Sequence, residues 1–200
     1  MSNASHFQLA VQNVTCGPLQ QLSFAWPPGV SWVCGDEGKG KTTLLRLLAG
    51  DVQPSTGQVL TPAGGVFWVD LQDAAHDNTT VQACWDALRA HYPHWNQDLL
   101  QDLAEELDMT PHFDKRLNML SAGSRRKVMV VAALASGTTV TLLDQPFAAL
   151  DFGSIQVIHD FLHEAAEHHS RAWIVADYEA PNHLPLASVL NLDEPNKVRA

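Results

Sequence analysis

The stretch "GDEGKGKT", Gly35 to Thr42, constrains the fold of this 200-residue chain more than any other. It matches G-x-x-x-x-G-K-[ST]. It directly follows the short apolar run "VSWVC" (30–34) and opens "KTTLLRLLAG", which reads as a helix closed by Gly50. A strand that breaks into a glycine-rich loop and then a helix aims backbone N–H groups at an anion, because glycines let the main chain wrap closely. The helix N-terminus adds partial positive charge. In such a loop Lys41 reaches the β- and γ-phosphates of a nucleotide and Thr42 offers its hydroxyl to Mg²⁺. The candidate nucleotide-binding set is Gly35, Asp36, Glu37, Gly38, Lys39, Gly40, Lys41, Thr42 and Thr43. Lys39 reads as a solvated loop charge that adds field at the phosphates.

The flanking pattern agrees with a phosphate loop in an α/β fold. "FQLAVQNV" (7–14) and "QLSFAW" (21–26) alternate like half-buried strands, and "GQVLTP" and "GGVFWVDL" read as two more. From 78 to 120 the character becomes helical: "TVQACWDALRAHY", then "NQDLLQDLAEELDM", whose Leu99, Leu100, Leu103 and Leu107 share one face. "SAGSRRKVMVVAALASG" reads as a helix with Ser121 at its cap. Further on, "TVTLLD" and "RAWIVAD" read as buried strands flanking the amphipathic helix "SIQVIHDFLHEAAEHH", with "ASVLNL" as a last strand. Strand–helix alternation at both ends predicts a parallel sheet, and the all-helical middle predicts an inserted lobe of about 78–120 within one domain of 1–200. The longest apolar run, "VMVVAALA", falls far short of the ~20 residues that span a bilayer. "MSNASHFQLA" lacks the basic and apolar regions of a signal peptide.

Charge and cysteine content exclude other classes. A net charge of −10 disfavours binding to a nucleic-acid backbone. Cys16, Cys34 and Cys84 are odd in number and widely spaced, which is neither a disulfide framework nor a zinc pattern. His159 and His163 lie i, i+4 on one helix, but Glu167 stands where H-E-x-x-H would need its second histidine, so this reads as a solvated face. Trp26, Trp32, Trp68 and Trp173 fall on predicted strands and read as core. Trp85 and Trp95 belong to the lobe, where they either pack internally or meet a transmembrane partner.

Three further segments carry the chemistry. "TVTLLD" delivers Asp144 from the end of a buried strand, where a carboxylate holds Mg²⁺ beside a phosphate loop. "LSAGSRRK" (120–127) stands just before it, and "LLDQPFAALD" runs on to Asp151. Here the chain resembles the ATP-binding subunits of ABC transporters, whose signature is L-S-G-G-Q followed by a basic helix. The resemblance runs from about residue 7 to 192, with all elements in family order. It is similar to the small ATPases of bacterial export systems.

The resemblance implies a P-loop NTPase fold, α/β: a RecA-like parallel sheet core, an antiparallel β subdomain and an inserted α-helical lobe. It implies ATP and Mg²⁺ as cofactors, with Thr42, Asp144 and Gln72 around the metal. It implies a head-to-tail dimer, homomeric or with a second ABC ATPase chain, in which Ser121 and Gly123 clamp the γ-phosphate of the ATP held by the other chain. It also implies a transmembrane permease partner and a peripheral place on the cytoplasmic face of the membrane. A non-transport ATP-dependent switch or regulatory module is the alternative.

Three positions depart from the family. Gln145 stands where the family has a glutamate that polarises the attacking water. An amide can orient water but cannot take its proton, so hydrolysis is expected to be slow. The switch histidine after the strand "WIVADY" falls on Asp177, which turns away, takes over as base or impairs the site. The aromatic that stacks on adenine falls near Asn13 to Cys16, where there is none. The glutamine loop should follow "VFWVDL", making Gln72 its residue and Asp70 the alternative. The departures cluster on one half-site while the signature survives, which favours pairing with a different ATPase chain.

Overall fold

A computed structural model describes residues 7–70 and 74–194. They divide into two compact units. The first contains 7–68, 139–145 and 162–194, and the second 69–138 and 146–161.

The first unit holds two sheets. β1 (Leu9–Cys16), β2 (Leu19–Trp26) and β4 (Thr56–Leu60) form an antiparallel sheet in the order β2-β1-β4. β2 buries Leu19, Leu22, Phe24 and Trp26 and exposes the residues between, as a sheet with one covered face requires. β3 (Gly29–Cys34), β5 (Val66–Phe67), β6 (Val140–Asp144), β7 (Ala172–Ala176) and β8 (Ser188–Asn191) form a parallel sheet in the order β5-β6-β7-β3-β8. β3 and β7 are buried along their whole length, which explains their near-continuous apolar sequences, broken in β3 by the buried Ser31. β5 is shorter than the expected 64–71. Among the described residues only Val66 and Phe67 pair with β6, and the chain passes into the second unit at Val69.

Helix α1 (Lys41–Ala49) follows β3 and buries Leu44, Leu45, Leu47 and Leu48. These join one cluster with Leu9, Val11 and Leu22 of the antiparallel sheet and Val33, Leu142 and Ile174 of the parallel sheet. Trp26, Trp32 and Trp173 are buried in this unit, and Trp68 packs against the same cluster. The loop Gly35–Gly40 therefore springs from the edge of a well-packed core.

The second unit contains α2 (Val81–His91), α3 (Gln97–Glu106) and α4 (Ala122–Ala135). Thr80 caps α2 by accepting the Ala83 N–H at 3.2 Å, and Asn96 caps α3 through the Leu99 N–H at 3.0 Å. Trp85 is fully buried. Its indole donates to the Val128 carbonyl at 2.9 Å and its ring meets Phe113 edge-on, so it serves lobe packing rather than docking. Helix α5 (Phe152–Ala165) begins two residues before the expected Ser154, because Asp151 accepts the Ser154 N–H at 2.9 Å and caps the first turn. No helix among the described residues is long and apolar enough to cross a membrane.

Candidate functional site

The sheet places three ends together in the first unit. β3 runs into the loop Gly35–Gly40, β6 ends at Asp144, and β7 ends at Ala176. The register sets Val33 against Ala176 and Asp144 against Ala176. Ligand sites of open parallel sheets sit at such carboxyl edges.

Gly40 immediately precedes α1 with φ of 99°. A Cβ there would lie 2.8 Å from Leu19 and 2.9 Å from Pro18, so the β1–β2 turn can pack against the loop only because this residue is glycine. Lys41 is 6% exposed despite its charge. Its Nζ donates to the carbonyls of Gly35, at 2.5 Å, and Asp36, at 2.9 Å, and it sits 4.6 Å from the centre of the Tyr178 ring. Next to it, the Thr42 hydroxyl donates to the Asp144 carboxylate at 2.5 Å. A hydroxyl and a carboxylate brought this close are the hard oxygen pair that suits Mg²⁺.

A cavity of about 380 Å³ opens above these groups, lined by Pro18, Glu37, Gly38, Lys41, Thr42, Thr43, Gln145 and Tyr178. Gln145 holds a left-handed backbone with φ of 46°, uncommon for a residue with a side chain, and its N–H donates to the Ala176 carbonyl at 2.8 Å. Asp177 follows β7, but its carboxylate accepts the N–H of Tyr178 at 2.8 Å and does not line the cavity. None of Asn13 to Cys16, the expected place of an adenine-stacking aromatic, lines the cavity; Pro18, two residues further on, does. Gln72 lies outside the described residues. Asp70 is exposed and belongs to the second unit.

Ser121 and Gly123 lie in the second unit. Ser121 caps α4 by accepting the Ser124 N–H at 3.0 Å. At Gly123 a Cβ would stand 2.3 Å from the Ala149 carbonyl oxygen, so the helix touches the loop after β6 backbone to backbone. In the basic triplet that follows, Arg125 pairs with Asp77 at 2.6 Å and Lys127 with Asp151 at 3.1 Å. Hydrogen bonds from the Ser154 N–H and hydroxyl, reinforced by Lys127, hold the Asp151 carboxyl well below the usual carboxylate range. Elsewhere in this unit burial pushes the Cys84 thiol up to about 11.

Two residues at the loop were missed from sequence. Asp193 accepts the Asp36 N–H at 3.1 Å and pairs with Lys39 at 3.2 Å, so Lys39 is a tethered charge rather than a freely solvated one. Tyr178 covers Lys41. The pairing of β3 with β7 and β8 brings both beside the loop from far along the chain, and no local pattern marks them. His159 meets the Phe147 ring edge-on, and no cluster of three or more metal-ligating side chains occurs among the described residues.

The profile of the ABC transporter family matches residues 19–148. The chain is 30% identical over 166 residues to the cytochrome c biogenesis ATP-binding export protein CcmA of Pseudomonas syringae, spanning 76% of this chain and 77% of that protein. It is 25% identical over 162 residues to the zinc transport system ATP-binding protein AdcC of Streptococcus pneumoniae, spanning 72% and 69%. Among solved structures, an ATP-binding protein from Pyrococcus furiosus superposes with a TM-score of 0.76 at 21% identity, covering 94% of this chain and 98% of that one. A bacterial Atm1-family ABC exporter with ATP bound superposes at 0.71 and 21%, covering 94% and 37%. At such identities the superpositions speak for the fold, an ABC-type P-loop cassette with one parallel and one antiparallel sheet.

Proposed function

Because the chain belongs to the ABC transporter family, we propose that it is an ATP-binding subunit that holds MgATP on the loop Gly35–Thr43 and drives a separate membrane-spanning partner. The observation that carries this reading is the meeting of Lys41, Thr42 and Gln145 at one cavity, with Asp144 bonded to Thr42. Loop N–H groups and Lys41 bind the phosphates, and Thr42 and Asp144 are the oxygen ligands offered to Mg²⁺, with Gln72 as the glutamine-loop residue. Mg²⁺ held there would supply neutralisation of the phosphate charge.

Hydrolysis by this chain is slow. Gln145 borders the cavity where a base would stand, but its amide orients water without accepting a proton. Losing a general base costs roughly 10²–10⁴-fold in rate, or about 3–5 kcal/mol of barrier. Asp177 does not compensate, since its carboxylate is bonded back to its own chain. The amide at Gln145 also removes one negative charge near the triphosphate, which favours the ATP-bound form.

The second half of the function lies on α4. Ser121, the N–H of Gly123 and the helix N-terminus clamp the γ-phosphate of an ATP held by a paired ATPase chain in head-to-tail arrangement. Gln145, Asp177 and the missing aromatic all fall on the chain's own phosphate-loop side, while the signature segment keeps Ser121 and Gly123 and differs from L-S-G-G-Q at Ala122 and Ser124. That asymmetry favours pairing with a second, different ATPase chain over a homodimer. The assembly works at the cytoplasmic face of a membrane, through a permease that selects the cargo.

The test is ATP turnover by the pure chain beside Gln145→Glu. Wild type should turn over slowly and Gln145→Glu at least about a hundredfold faster, the low end for restoring a base. A wild type that already matches Gln145→Glu would refute the impaired-site reading.

A further inference from the structure

We propose that Tyr178, rather than Asp177, is what the end of β7 contributes to the nucleotide site, and that its ring competes with the phosphates of ATP for Lys41. This rests on the reading of Gly35–Thr43 as the phosphate loop. An ammonium group has three N–H donors. Two on Lys41 go to the carbonyls of Gly35 and Asp36, bonds that belong to the loop itself. The Tyr178 ring takes the remaining side, with its centre 4.6 Å from Nζ, a cation–π distance. The same ring lines the cavity beside Thr42 and Gln145. A phosphate oxygen therefore reaches Lys41 by displacing the ring.

The ring is built to leave while its backbone stays. The Asp177 N–H donates to the Val33 carbonyl at 3.0 Å, and the Tyr178 carbonyl accepts the Gly35 N–H at 3.4 Å. The main chain is thus tied to the loop on both sides. The residue is 52% exposed, so rotation about its side-chain bonds carries the ring into solvent without breaking either tie. The competition is a property of the aromatic face and not of the hydroxyl.

Equilibrium MgATP binding tests this in wild type, Tyr178→Ala, Tyr178→Phe, Lys41→Ala and the Tyr178→Ala/Lys41→Ala double variant. Tyr178→Ala should bind about three- to tenfold more tightly, the range of a partly exposed cation–π contact. Tyr178→Phe should stay within about twofold of wild type, because it keeps the ring face. In the Lys41→Ala background, loss of the ring should change nothing. Unchanged or weaker binding by Tyr178→Ala overturns the proposal, as does a Tyr178→Phe variant that behaves like Tyr178→Ala. If Lys41→Ala binds like wild type, the phosphate-loop reading falls and this inference falls with it. If Lys41→Ala abolishes binding and Tyr178→Ala has no effect, only the inference fails.

Discussion

Gly123→Ala should loosen the contact between the start of α4 and the loop that follows β6. The added methyl would stand 2.3 Å from the Ala149 carbonyl oxygen and 3.3 Å from the Ala149 carbonyl carbon. That is ~1 Å or more inside a tolerable contact. Neither side yields cheaply. Gly123 sits in the first turn of a helix that is buried from Val128 to Ala135, and Ala149 is held in a left-handed backbone of φ 62°. The opposing atom is main chain, so no rotamer change relieves the clash. Overpacking of this kind costs about 1–3 kcal/mol. For a chain of this length each kcal/mol moves the thermal midpoint by about 2–4 °C, so a fall of roughly 2–12 °C is expected. A displaced helix start would also stretch the 3.1 Å pair between Lys127 and Asp151. Thermal unfolding followed by circular dichroism reads the shift, with Ser124→Ala as the control in the same turn. Ser124→Ala loses a 2.9 Å hydroxyl contact to Ser121 and adds no volume. If Gly123→Ala melts within about 1 °C of wild type, the close approach of α4 to Ala149 is wrong, since even the low end of overpacking exceeds that shift.

The Asp151 carboxyl is held below its ordinary value in the folded chain, so its contribution to stability is complete above the unfolded value of 3.8 and is lost as pH falls further. Asp151→Asn should therefore melt lower than wild type at pH 7, and melting curves taken down to pH 3 should show the gap closing. A gap independent of pH would contradict this. A thiol reagent should label half-buried Cys16 first in the native protein. Cys34 is 8% exposed and Cys84 is 5% exposed, with the Cys84 thiol pushed up to about 11, so both should react only on unfolding. Mass spectrometry of partly labelled protein checks the order, and early label on Cys84 would refute the packing of the helical unit.

What was legible in the sequence was local or periodic. The phosphate loop is one contiguous stretch whose chemistry depends on its own glycines, lysine and threonine, so its pattern and its geometry coincide. The buried strands β3, β6 and β7 announce themselves because parallel strands covered on both faces read as near-continuous apolar runs, with only small polar residues such as Ser31 and Thr141 inside them. The caps at Ser121, Thr80 and Asn96 act within one helical turn, and Ser121 was read from its neighbours alone. What escaped was set by pairing at long range. Asp193 reaches Lys39 and the Asp36 N–H because β8 lies beside β3, and Tyr178 reaches Lys41 because β7 does. The length of β5 depends on how many residues find a partner on β6, which its apolar sequence does not record. Asp177 was identified by position, yet a side chain can be turned back by a hydrogen bond to the next residue, and no spacing rule foresees that.

MgATP is proposed to sit on the Gly35–Thr43 loop of this chain with Thr42 and Asp144 toward the metal. Calorimetric titration with ATP, with and without Mg²⁺, tests this most directly in wild type, Lys41→Ala and Asp144→Asn. Wild type should bind ATP, and more tightly with Mg²⁺. Lys41→Ala should lose binding, and Asp144→Asn should bind without responding to Mg²⁺. A Lys41→Ala protein that binds ATP as tightly as wild type would contradict this placement.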